Sequence, residues 1–371
     1  MSNYDFETRG TVGRTPANRF GLDYAAEAAR FGGRRGIFDF HTHVNGLNAA
    51  KVWRRVANMF GVERALTQVP LHSCEAVRET VGDMVEFIAF PNFRAQDRRH
   101  AMMEGFLRDI EVFAGQHGAR MIKLWNAPRL REFFPHDSER ELTDFDGFWR
   151  VEACRYAERE RMAVMVHVAD PDTWFMTRYA DSGLFGRKRD HYKSLERLLD
   201  RFDLPFVAAH MGGWPENPDF LDVLLTRHPN LHLDTSATKW MVREIGGQDP
   251  GRMREFFARW SGRILFGSDI VTTDEHLGSV KPEAKHPMAD LADSPDAAFE
   301  LYASRYLALR ILLETDYAGE SPIADPDLAM IDDRADGMSA PMMRGLSLSE
   351  GILQSLYANA GISFLSRCKS V

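Results

Sequence analysis

Two rhythms of apolar and polar positions alternate along the chain. Eight short apolar runs recur, each closing on small or polar residues. They are "GIFDFHTH" (36–43), "VERALTQVP" (62–70), "VEFIAFPN" (85–92), "ARMIKLWN" (119–126), "MAVMVHVAD" (162–170), "PFVAAHMGG" (205–213), "LHLDTSA" (231–237) and "RILFGSD" (263–269). Most are rich in β-branched or aromatic residues and are of strand length. The gaps carry the other rhythm, apolar residues three and four apart with charges opposite. "AAKVWRRVANMF" (49–60) places Val52, Val56 and Met59 on one face. The same spacing predicts helices over 101–114, 145–161, 194–202, 219–229, 251–260 and 297–314.

Strand alternating with helix eight times predicts a (β/α)8 barrel. An open doubly wound sheet would carry a Gly-rich phosphate turn after its first strand, and the chain has none. The pattern predicts a single domain over 1–371, its barrel core at about 36–315, followed by a C-terminal insertion and helix over 316–371. A short helix is expected within "LDYAAEAARF" before the first strand, and another helix near 347–365. The excess length after strands five (171–190) and eight (270–296) and in 316–345 is where lids and specificity reside in such folds.

Composition narrows the function classes. The chain has 371 residues, 44% hydrophobic and 27% charged, with a formal net charge of −8. That acidity, without a basic stripe, argues against a nucleic-acid partner. No run approaches a membrane span, and the polar N-terminus lacks a signal-peptide core. Cys74, Cys154 and Cys368 form no pairable framework, which points to a reducing, cytoplasmic setting.

The candidate chemistry lies at the strand ends. His41 and His43 close the first strand. Residues two apart share a face, with Cβ atoms roughly 6–7 Å apart, which lets two imidazoles reach one ion at ~2.0–2.1 Å per bond. A lone His-x-His is weak, since 13 histidines in 371 residues supply roughly half of one by chance. Strand five adds His167, strand six His210 and strand eight Asp269. A parallel barrel gathers these ends at one rim. Each alone reads as a packed histidine or a capping aspartate; together they read as a metal site. Most remaining histidines, His228, His276 and His286 among them, read as surface residues, and His232 as packed.

At these residues the chain resembles the amidohydrolase superfamily, and within it the group of aminocarboxymuconate-semialdehyde decarboxylase and pyrone-dicarboxylate lactonase. "FDFHTH", "VMVHVAD", "VAAHMGGWP", "HLDTSA", "ILFGSD" and the closing "SLYANAGISFL" carry the likeness. The resemblance implies one divalent ion, zinc first, held by His41, His43, His167 and Asp269, with His210 beside the reacting water. Lys123, at the end of strand four, is either a carbamylated bridge to a second metal or a charge partner for Asp269 or a substrate carboxylate. The implied activity is metal-dependent hydrolysis of a C–O or C–N bond (lactone, ester or amide) in a small organic acid, with Asp269 moving the proton. The alternative on the same site is nonoxidative decarboxylation of a carboxylated enol or phenol; a noncatalytic barrel is the third possibility. Carboxylate substrates call for cationic clamps, for which Arg94, Arg178 and Lys239 are candidates. Trp125 and Trp214 are candidate pocket walls, with Trp174, Phe175 and Trp240 beside them. The resemblance also implies a homo-oligomer, dimer or tetramer.

Overall fold

The computed structural model describes residues 4–6, 13–34, 36–278 and 288–369. It is an α/β fold in which parallel strands alternate with helices, the order of a (β/α)8 barrel. The strands are β1 (Ile37–Val44), β2 (Val62–Thr67), β3 (Val85–Ala89), β4 (Met121–Trp125), β5 (Ala163–His167), β6 (Phe206–Ala208), β7 (Leu231–Asp234), β8 (Ile264–Leu265) and β9 (Ile270–Thr272). The first eight start within two residues of the apolar runs.

The chain divides into two compact units. One comprises the chain through Val85, with Ser236–Ser261 and Phe266–Asn359; the other comprises Glu86–Thr235, Gly262–Leu265 and the chain from Ala360 on. In the first, β1 lies between β2 and β9 and is parallel to both, with Thr42 opposite Thr67 and Ile270. The helix Leu47–Met59 buries Ala49, Ala50, Trp53, Val56 and Ala57; of the expected face only Val56 is buried, and Val52 and Met59 are half-buried at its edges. Gly46 precedes that helix and has no side chain to cap it, so Asp274 Oδ1 accepts from the amides of Asn48 (2.9 Å) and Ala49 (2.8 Å). Only glycine fits there: φ is +74° and a Cβ would meet the Asp274 backbone nitrogen at 2.5 Å. The helix Pro295–Glu314 buries apolar residues on nearly every side, as a helix enclosed by protein must.

In the second unit β4 and β5 run in register from Met121/Ala163 to Trp125/His167, and β5–β6, β6–β7 and β7–β8 are parallel neighbours. All five residues of β5 are buried. Its Ala-Val-Met-Val run follows, because a parallel strand covered by helices has two apolar faces.

The structure departs from the sequence pattern at several points. The eighth run does not reach Asp269 as one strand. β8 ends at Leu265, and β9 begins only after Asp269, whose φ is +56°. Ser268 turns its amide and hydroxyl onto Asp39 (3.0 and 2.6 Å), which pulls this segment out of the ladder. The sixth run ends at Ala208 and continues as a turn with positive φ at His210, Met211, Gly212 and Gly213. A helix at Cys74–Val81, burying Cys74, Val77 and Val81, fills a gap where none was expected. The 171–190 segment contains two short helices, Asp172–Met176 and Ser182–Phe185. In the 316–345 insertion β10 (Ala318–Glu320) pairs antiparallel with β11 (Met342–Arg344). The expected closing helix is present as Glu350–Gln354, a wider π turn at Ser355–Asn359, and Ala360–Ser366. His286 lies outside the described residues. Among these residues no helix is long and apolar enough to cross a membrane.

Candidate metal centre

The first unit contains the densest cluster of donors. Along β1, Asp39, His41 and His43 alternate with Phe38, Phe40 and Thr42, so one strand face is a polar column. The imidazole centroids of His41 and His43 are 5.6 Å apart. Asp269 joins them because its amide donates to the His41 carbonyl at 2.8 Å. Its left-handed backbone, which aspartate tolerates better than most residues, accompanies a carboxylate turned to the histidines. Asp269 Oδ1 is 3.2 Å from His43 Nε2 and 3.5 Å from His41 Nε2. His41 is sealed at 1% exposure, while His43 (29%) and Asp269 (24%) leave one side of the cluster open to solvent.

Asp39 braces the arrangement from below. It is fully buried and accepts from the Ser268 hydroxyl (2.6 Å), the Ser268 amide (3.0 Å), the Tyr306 hydroxyl (2.8 Å) and the His41 amide (3.2 Å). Trp53 Nε1 donates in turn to Tyr306 (3.1 Å). Burial pushes the Asp39 carboxyl up to about 7, against the pull of its Ser268, Tyr306 and His41 donors. One carboxylate thus ties the strand of His41 and His43 to the residue before Asp269. Gln68 completes the cluster, its side-chain Nε2 lying 3.1 Å from His41 Nε2 and 3.2 Å from His43 Nε2.

These atoms fit a cation. Bonds of ~2.0–2.1 Å in a tetrahedron require donors roughly 3.3–3.4 Å apart. The two imidazole-to-carboxylate separations, 3.2 and 3.5 Å, bracket that value, and the three ligand atoms all lie within 4.8 Å of one another.

The second unit contains its own polar cluster. His167 Nε2 is 2.8 Å from Asp170 Oδ1, and the Tyr179 hydroxyl donates to Asp170 Oδ2 at 2.7 Å. Burial would raise the Asp170 carboxyl, but His167 and Tyr179 together hold it below the usual range. The His210 ring meets that of His167 edge-on at 4.6 Å, and the His210 amide donates to Asp234 at 2.8 Å. Lys123 is buried, with Nζ 3.2 Å from Met165 Sδ. Trp125 packs edge-on against Phe93 and His167.

No protein-family model matches the chain, and comparison with curated proteins returned no match.

The remaining candidates have local partners. Arg178 pairs with Glu132 at 2.9 Å and lies over Trp174, and Lys239 pairs with Asp327 at 2.6 Å. Trp214 stacks on Tyr192 under the Lys188 ammonium. Arg94 is exposed. Two histidines read as surface are not. His276 is fully buried between the Tyr302 hydroxyl (2.8 Å) and the Met288 carbonyl (2.7 Å), and His228 is 2% exposed. His232 is packed as expected, against Phe364. Asp39, Gln68, Ser268, Tyr306, Asp170 and Tyr179 were not singled out from sequence. Asp39 did leave a signal, a carboxylate inside an apolar run, two residues before His41.

Proposed function

We infer that the protein is a metal-dependent hydrolase acting on a C–O or C–N bond, in a lactone, ester or amide, of a small organic acid. The observation behind this reading is the convergence of His41 Nε2, His43 Nε2 and Asp269 Oδ1 within 4.8 Å of one another, the carboxylate lying at tetrahedral-edge separations from both imidazoles. The amidohydrolase-like order of the strand-end motifs agrees with it. His41, His43 and Asp269 would hold a divalent ion, zinc first, which supplies an electrophile and lowers the pKa of water toward 7.

The chain's own residues do the rest. His41 is sealed within the protein and serves only to fix the donor set. Asp269 is reachable from solvent, so it accepts the proton of the attacking water and returns it to the leaving group. Asp39 and its Ser268, Tyr306 and His41 donors hold strand and carboxylate in register through that transfer. His167 and His210 form the second cluster.

The test is turnover of a panel of lactones, esters, amides and carboxylated phenols by metal-loaded protein, with carbon dioxide measured alongside hydrolysis. The expected result is hydrolysis in the wild type and a loss of about 10²–10⁴-fold in Asp269→Asn, with at least half of the metal retained. Carbon dioxide release without hydrolysis would assign the site to decarboxylation instead. Wild-type rates in Asp269→Asn would remove its role.

A further inference from the structure

We propose that Gln68 is a further ligand of this centre, binding through its side-chain oxygen. The proposal rests on the metal-site reading above and adds to its donor set.

Gln68 is the first residue beyond β2. Its amide donates to the Thr42 carbonyl at 2.9 Å, which extends the β1–β2 pairing to the level of His41 and His43. The residue is 4% exposed. Its backbone is therefore fixed and its side chain confined at the two imidazoles.

The two imidazoles keep similar distances to Gln68 and to Asp269. The side-chain nitrogen of Gln68, Nε2, is 3.1 Å from His41 Nε2 and 3.2 Å from His43 Nε2. Asp269 Oδ1 is 3.5 and 3.2 Å from the same two atoms. All four separations are close to the roughly 3.3–3.4 Å edge of a tetrahedron with ~2.0–2.1 Å bonds.

Hydrogen-bond chemistry selects the oxygen. Each Nε2 faces both Gln68 and Asp269, and an imidazole nitrogen is either a donor or an acceptor. A ring that donates to Asp269 cannot also accept an N–H from Gln68. A half-turn of the amide exchanges its nitrogen and oxygen at almost no change of shape. With oxygen inward, two imidazoles, a carboxylate and a carboxamide converge, and a cation satisfies all four. The neutral oxygen adds a donor suited to harder divalent ions without adding charge.

The test is Co(II) and Zn(II) titration of chelator-stripped wild type, Gln68→Leu and Gln68→Glu, with the Co(II) visible spectrum recorded and folding checked by circular dichroism. The expected result is one ion per wild-type chain and a loss of affinity on the order of 100-fold in Gln68→Leu. Gln68→Glu, which keeps an oxygen donor and gains charge, should bind at least as tightly as wild type with an altered spectrum. Wild-type affinity and spectrum in Gln68→Leu would overturn the proposal and leave the metal site standing. Equal loss in Gln68→Glu and Gln68→Leu would also overturn it, by assigning Gln68 an N–H donor role. Should Gln68→Leu fail to fold, an unchanged affinity and spectrum in Gln68→Glu overturns it alone. A wild type that binds neither ion removes this proposal and the metal reading together.

Discussion

Asp39 shows how much of the centre is decided one residue at a time. It touches no solvent, yet four donors converge on it, and two of them belong to the residue preceding Asp269. Asp39→Ala should cost about 3 kcal/mol, because it leaves the Ser268 and Tyr306 donors buried without their acceptor. Urea unfolding of the two proteins checks this; a change under 1 kcal/mol would mean that the braces are dispensable. His41, His43 and Asp269 were legible in the sequence because imidazoles and a carboxylate at strand ends have a chemical reason to be there. Gln68 was not legible. A single amide after a strand has no spacing rule, and its meaning arises only from the two rings it meets. His276 failed for the related reason that a tyrosine and a carbonyl distant in sequence bury it.

Elements were more readable than their ends. The period-two and three-and-four patterns located eight strands and most helices, since burial of one or two faces leaves a direct mark on composition. The breaks left no such mark. Asp269 and His210 take left-handed backbones because tertiary hydrogen bonds hold them there. The turn after β6 depends on Gly213, whose φ is +74° and where a Cβ would meet the Ala169 carbonyl oxygen at 2.2 Å. Gly213→Ala should cost roughly 2–4 kcal/mol. Gly115→Ala, in the helix Glu104–His117 with open space around it, should instead stabilise by about 0.5–1 kcal/mol. Thermal melts of the pair decide this; equal shifts would deny the close approach.

β7 supplies a pH test. Burial, with Arg263 adding to it, pushes the His232 imidazole down to about 4. Between pH 6.5 and 4 the unfolded chain takes up this proton and the folded chain does not. Stability is therefore full above about 6.5 and falls as the pH drops through that window, by up to roughly 3 kcal/mol. Unfolding free energies at pH 7, 5.5 and 4.5 should fall more steeply for wild type than for His232→Leu. Parallel slopes would show that the ring is not held neutral.

At the scale of the whole molecule, a cation is expected to bind the folded chain at His41, His43 and Asp269. A ligand that binds only the folded state stabilises it, by about 2.7 kcal/mol at a hundredfold excess over Kd. Chelation should lower the melting temperature by several degrees, and zinc should restore it. Neither strand nor helix in the first unit requires the ion for its own hydrogen bonds, so the stripped protein should remain folded. The most direct measurement is elemental analysis of wild type beside a His43→Ala/Asp269→Ala double variant, each purified without chelator. About one divalent ion per wild-type chain and less than a tenth of one in the variant is the expected result; no ion in the wild type, or an undiminished ion in the variant, would contradict it.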